Sequence, residues 1–322
     1  MKGYELVAKT IRGENDTGRT PLYGWVSANL DKPITEKFGS VQAFEDLYEF
    51  DAAHLFGGPG SLNMGEYDKI RESGEELTPD VILDIPLCPV DRMEDYQGLK
   101  ESLRFYREER GRFCYVQTPG FFEHFNGVFG IENHLCYLLM YPDEIAELYR
   151  RQAEWTVQFA QNVLELGADM VHISDDWGSQ RELMFSPRLW QELIYPNLKR
   201  VSEAVKSAGG FLSLHSDGCI TQVLDGVVDV GFDVLHPWQE TAGMSYDLYL
   251  QKYQNYFGIL GGLCVQSVIG FGDYARLEHE IRRVFSLLKG KRWIFCTTHF
   301  VQDHCSIEEL VFAYDLARKL AR

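Results

Sequence analysis

The chain has 322 residues, 45% of them hydrophobic, with 31 Lys and Arg against 48 Asp and Glu for a net charge of −17. That composition supports a large buried core and argues against disorder; the acidic balance argues against nucleic acid and anionic membranes as partners. Residues 1–15 carry no apolar signal-peptide stretch and no segment approaches the roughly 20 apolar residues of a membrane span, while the seven cysteines form no Cys-x-x-Cys pair, so reduced thiols and a cytoplasmic setting are expected.

Short apolar runs alternate with longer amphipathic stretches along the chain, the pattern of βαβ units around a parallel sheet. Candidate strands fall at residues 22–26, 52–56, 81–85, 113–117, 170–174, 211–215, 233–236, 257–261 and 293–297. The run at 81–85 lies among Pro79, Pro86 and Pro89 and reads as a strand of an inserted segment. The other eight suit a (β/α)8 TIM barrel, one domain over residues 1–322, with an N-terminal extension and that insertion.

Helix signals fall between the runs. Pro142 opens a helix that Gly167 stops, and Ser186-Pro187 opens another that ends before Gly209-Gly210. A third spans residues 273–288, ended by Gly290. Ser306 with Glu309 forms a capping box for the last.

In a barrel the reacting groups sit at the C-terminal strand ends. Here those ends hold Gly57-Gly58, Asp175-Asp176, His215 to Cys219, His236, Gly261 to Cys264 and Cys296 to His299. His215 and Asp217 are two apart, so on an extended chain they reach one point. Imidazole with carboxylate suits a divalent metal or an acid/base pair. The other reading stays open, with His215 a hydrogen-bonded core histidine and Asp217 a cap for a helix near Thr221.

His299 follows the last apolar run. With His215 and Asp217 it makes three ligands with an open position, the layout of a catalytic zinc site. Asp175 and Asp176 are candidate acid/base residues beside His215. Adjacent residues on a strand face opposite ways, so one of the two looks into the mouth. Arg181 is placed to neutralise this pair or to hold a substrate carboxylate. Trp25, His236 and Gln302 complete the candidate substrate-binding set. Gly57-Gly58-Pro59-Gly60 has no following Lys and reads as a turn. GxGxxG, GxSxG and HExxH motifs are absent, which weakens nucleotide-binding and serine-hydrolase readings.

The ordered set Gly167-Ala168-Asp169, Asp175-Asp176-Trp177-Gly178, Ser186-Pro187, His215-Ser216-Asp217-Gly218, Gly231-Phe232-Asp233-Val234, Gly261-Gly262 and the segment from His299 to Glu309 resembles the uroporphyrinogen decarboxylase superfamily. The resemblance covers roughly residues 119–322. It implies a (β/α)8 barrel and one of two activities, decarboxylation of a haem precursor or zinc-dependent, corrinoid-linked methyl transfer. The decarboxylases carry an Arg-Gln-Ala-Gly-Arg clamp for the tetrapyrrole carboxylates. This chain reads Arg19-Thr20-Pro21-Leu22-Tyr23-Gly24-Trp25 there. The methyltransferase branch is therefore the nearer one.

That branch holds zinc through His-x-Cys and a later Cys. Asp217 and His299 stand at the positions of the two cysteines. A His/Asp/His set is harder and makes a stronger Lewis acid. The resemblance then implies a metal-dependent methyltransferase acting on a small methylated substrate. Cobalamin would sit on a separate corrinoid protein, since no Asp-x-His-x-x-Gly motif is present. The competing expectations are a decarboxylase and a non-catalytic barrel that binds a corrinoid or a small acid. A homodimer is also compatible.

Overall fold

The computed structural model describes residues 1–26 and 29–322. The chain divides into two compact units. The first comprises Met1–His54, Tyr106–Tyr115 and Asp233–Arg322, and the second Leu55–Phe105 and Val116–Phe232. Seven strands are described: β1 (Ala52–Leu55), β2 (Phe113–Pro119), β3 (Met170–Ser174), β4 (Phe211–His215), β5 (Val234–His236), β6 (Gly258–Leu263) and β7 (Trp293–Thr297). Within each unit they follow chain order in parallel sheet, interleaved with helices, which is the α/β class expected. No helix among the described residues is long and apolar enough to cross a membrane.

In the second unit β3 pairs with β4 from Met170 opposite Phe211 to Ser174 opposite His215. All five β3 residues are buried, as expected for a strand covered on both faces. The helix Pro142–Glu165 packs beside it, burying Ile145, Leu148, Tyr149, Phe159 and Val163. Pro142 in its first turn lacks an N–H that would be unpaired there anyway, and Asp143 and Glu144 favour the helix N-terminus. The helix opened by Ser186 widens into a π segment, Trp190–Ile194, before Tyr195–Ser207. Pro196 explains the widening, because it cannot donate the regular α-helical bond.

In the first unit β6 pairs with β5 on one side and with β7 on the other. The expected strand at 22–26 is reduced to a bridge between Leu22 and Phe295. Residues 21–23 still lie between β7 and the start of β1: Phe295 N–H donates to Pro21 O at 3.0 Å, Tyr23 N–H to Phe295 O at 2.9 Å, and Asp51 N–H to Leu22 O at 2.8 Å. Beyond that the Trp25 amide turns to the Thr297 hydroxyl, 3.1 Å away, and the ladder stops.

One expected element changes type. Residues 79–83 form a helix, Pro79–Leu83, where a strand was expected at 81–85. Pro79 occupies the first helical turn after Thr78, and the apolar triplet that reads as strand buries only Ile82 within the helix. The remaining eight runs coincide with strands or, at Leu22, with the bridge.

Candidate functional site

The loops after β3 and β4 meet within the second unit. Their strands are in register, and one more ladder bond, Asp175 N–H to His215 O at 2.9 Å, extends the pairing into the loops. Two glycines let them touch. A Cβ on Gly178 would lie 2.5 Å from the Cys219 nitrogen, and one on Gly218 would lie 2.3 Å from the Gly178 oxygen. Gly218 also has φ +79°, so this position needs glycine twice over. Ser216 Oγ accepts the Trp177 amide at 3.0 Å, and Cys219 N–H reaches Ser179 O at 2.8 Å.

The two adjacent aspartates take different environments. Asp175 is fully buried. Its Oδ1 accepts the Glu123 amide at 2.7 Å, while Oδ2 lacks a hydrogen bond of normal geometry among the described residues. Burial pushes its carboxyl up to about 7, against the lowering pull of the Glu123 and Phe121 amides and the Trp177 indole. Gly120 makes room for it, since a Cβ there would lie 2.4 Å from the Asp175 Cβ.

Asp176 keeps 32% of its side chain exposed. Its Oδ1 accepts the Asp217 amide at 2.7 Å and lies 3.6 Å from His215 Nε2. Asp217 is pushed up to about 7 by burial first, then by the charges of Asp176 and Glu123. Glu123 is raised by burial and by Asp176, with the Ser174 hydroxyl, 2.9 Å from its Oε2, acting the other way. Every influence acting on Asp217 thus favours its neutral form. Asp176 and Asp217 flank one imidazole with Glu123 close enough to raise Asp217, and no Lys or Arg contributes to Asp217 or Glu123.

This donor set fits a divalent cation: a nitrogen and carboxylate oxygens, with negative charge in excess and partly desolvated. The cation would lower each carboxyl that its neighbours now raise. His215 and Asp217 are the residues of this unit that group as possible ligands, with Asp176 beside them. Arg181 sits on the exposed turn after Ser179, and among the described residues its guanidinium pairs with neither aspartate.

The other candidates belong to the first unit. Trp25 stacks on His299 with ring centroids 5.5 Å apart and meets His54 edge-on at 4.9 Å. Gln302 Nε2 lies 3.4 Å from His299 Nδ1 and donates to Phe300 O at 3.2 Å. Trp25, His299 and Gln302 are thus brought together, with Nδ1 of His299 turned to Gln302. His236 is 4% exposed, with Nε2 3.1 Å from Thr297 O at the end of β7.

Sequence reasoning missed Glu123, Ser174 and His172. Glu123 lies just past the end of β2, a strand end from which no candidate was taken. Ser174 and His172 stand two apart inside the apolar run of β3. His172 Nδ1 is 2.7 Å from Ser213 Oγ, and its ring centroid is 6.1 Å from that of His215. The available signal was a period of two polar residues, His172 and Ser174, in an otherwise apolar strand.

Parallel strands with a polar corner at their C-terminal ends define an α/β scaffold of the kind that hosts strand-end chemistry. The chain belongs to the uroporphyrinogen decarboxylase (URO-D) family, which residues 126–320 match. Its fold is similar to that of a methyltransferase from Methanosarcina mazei, at 14% identity and a TM-score of 0.73 over 99% of this chain and 98% of that one. A B12-independent methionine synthase from Shewanella sp. W3-18-1, in complex with selenomethionine, is similar at 11% identity and a TM-score of 0.52, over 94% of this chain and 92% of that one. No curated protein matches the sequence.

Proposed function

We propose that this protein is a metal-dependent methyltransferase of corrinoid-linked one-carbon metabolism. It would move a methyl group between a small methylated substrate and a corrinoid protein that carries cobalamin. The observation that carries the reading is the Asp176–His215–Asp217 corner, where carboxylates crowd an imidazole with no basic side chain contributing to Asp217. Membership of the URO-D family and a fold shared with a methyltransferase support it. A closed (β/α)8 barrel, with residues 21–23 as its eighth strand, is the architecture this reading takes.

In the proposal His215 and Asp217 hold zinc, with His299 as the third protein ligand. A zinc ion held there supplies a Lewis acid toward an oxygen or nitrogen that carries the methyl group. Asp176 orients His215 and the Asp217 amide, and is the more exposed carboxylate for proton transfer at the substrate. Asp175 acts from behind, holding the Glu123 amide and through it the third carboxylate. Trp25 and Gln302 flank His299 and contact the substrate, as do His236 and Arg181. The protein works in the cytoplasm.

The test is metal analysis of the purified protein together with methyl transfer to a corrinoid protein. Wild type should carry close to one zinc per chain, and His215→Ala and Asp217→Ala should lose both metal and transfer. Undiminished transfer by metal-free wild type would sink the metal role. Turnover of a porphyrinogen that survives chelation would replace the proposal with a carboxylate-only decarboxylase.

A further inference from the structure

A cavity of about 400 Å³ lies in the first unit, beside the loops that follow β5, β6 and β7. None of the residues proposed above for methyl transfer lines it. Its apolar side is formed by Trp238, Val268 and Val284, and Gly262 in β6 leaves the space open. A Cβ on Gly262 would lie 3.0 Å from Val284 and 3.1 Å from the Trp293 ring.

The charges in this wall are unequally used. Glu240 and Glu280 both bind Arg283, at 2.5 and 2.8 Å. Arg276, also in the wall, is exposed and makes no ion pair among the described residues. The four charges of the wall sum to zero, and Arg276 is the one among them that no opposite charge binds among the described residues.

Polar donors converge as well. Tyr246 lines the cavity with a phenol that can donate to a ligand, and its ring is only 3% exposed. Cys264 Sγ accepts the Ser267 hydroxyl at 3.2 Å, so the thiol is held in the wall.

The wall is also preformed. Glu309 Oε1 accepts the amides of Gly270, Phe271 and Gly272 at 3.1, 3.1 and 2.9 Å, and the Val265 amide donates to Thr298 Oγ1 at 3.1 Å. These bonds pin the loop that carries Cys264, Ser267 and Val268.

We infer that this cavity is a binding site for a small organic carboxylate with an apolar body. The carboxylate pairs with Arg276, an acceptor on the ligand takes the Tyr246 O–H, and the body lies on Trp238, Val268 and Val284. The inference is independent of the metal corner.

The test uses the full-length protein and four probes, acetate, butyrate, hexanoate and benzoate, with butyramide and benzamide as neutral controls. Titration calorimetry should show saturable binding of at least one of the larger acids and none of the amides. Arg276→Met should weaken that binding at least tenfold, and Tyr246→Phe several-fold. Both changes spare existing contacts, so the variants should fold as wild type. The bound acid should also slow iodoacetamide alkylation of Cys264, read by peptide mass spectrometry, without slowing that of exposed Cys136. Failure of all four acids to bind, equal binding by Arg276→Met, or an unprotected Cys264 overturns the inference.

Discussion

Buried carboxylates in the first unit meet donors, whereas those around His215 in the second unit meet one another. In the first unit Arg112, 4% exposed, binds Glu45 and Asp46 at 2.5 Å each, and Asp51 holds Arg19 at 3.0 Å and the Leu22 amide at 2.9 Å. Burial still raises Glu45, but Arg112 opposes it. Burial pushes Glu309 upward too, yet the amides of Gly270 and Gly272 and the Ser306 hydroxyl bring it below the usual carboxylate range. In the second unit Glu123 and Asp176 push Asp217 in the same direction as burial does. Compensated carboxylates serve the fold. An uncompensated group of them costs stability and is explained by something it binds.

The contrast can be broken in four places. The largest effect is expected at Arg112. Arg112→Met leaves Glu45 buried without its cation and should cost about 3–5 kcal/mol, measured by urea unfolding. A loss under 1 kcal/mol would mean the pair is idle.

Asp217→Asn asks the opposite question. It removes one of three like charges, so stability without metal should hold or rise by up to about 1 kcal/mol. Methyl transfer should fall at least about 100-fold, near 3 kcal/mol in transition-state terms. Destabilisation comparable to that of Arg112→Met would show that Asp217 is structural.

Glu309→Ala removes the acceptor of three amides and should cost about 2–3 kcal/mol. The same change should loosen the loop at Cys264, read as faster amide hydrogen exchange at Gly270 and Gly272. Unchanged exchange there would separate the carboxylate from the loop.

The smallest effect is a pH dependence at Asp51, raised from 3.8 to about 6 by burial despite Arg19. Between about pH 4 and 6 the folded chain keeps a proton at Asp51 that the unfolded chain has lost. Its contribution is therefore complete below pH 4 and lost as pH rises through 6. Relative to Asp51→Asn, wild type should lose about 2 kcal/mol of stability between pH 4 and pH 7. A difference that stays flat with pH would place Asp51 at its ordinary value.

Much of the scaffold was legible because a period of two and helix caps are local properties. Ser306 caps the helix expected of it, accepting the Glu309 amide, and the helix expected from residue 273 starts at Tyr274 with Asp273 as its cap, accepting the Arg276 amide. The 81–85 run failed because three apolar residues fit one turn of helix as well as a short strand, and Pro79 decided the matter. At the site, the strand-end rule located Asp175, Asp176, His215 and Asp217. It left out Glu123, whose place beside Asp175 comes from one amide bond between residues 52 positions apart.

The amino-acid sequence by itself determined the alternating α/β order, the acidic surface charge and the polar residues at the ends of β3 and β4. These follow from composition and from side-chain direction along a strand, which need no knowledge of neighbours. Tertiary structure alone decided which of the twin aspartates faces His215 and which is sealed behind Glu123. It also decided that the carboxyls of Asp217 and Glu123 share a corner with Asp176. Burial and charge repulsion depend on distances through space, and residues 123, 176 and 217 come near one another only once the parallel strands are in register.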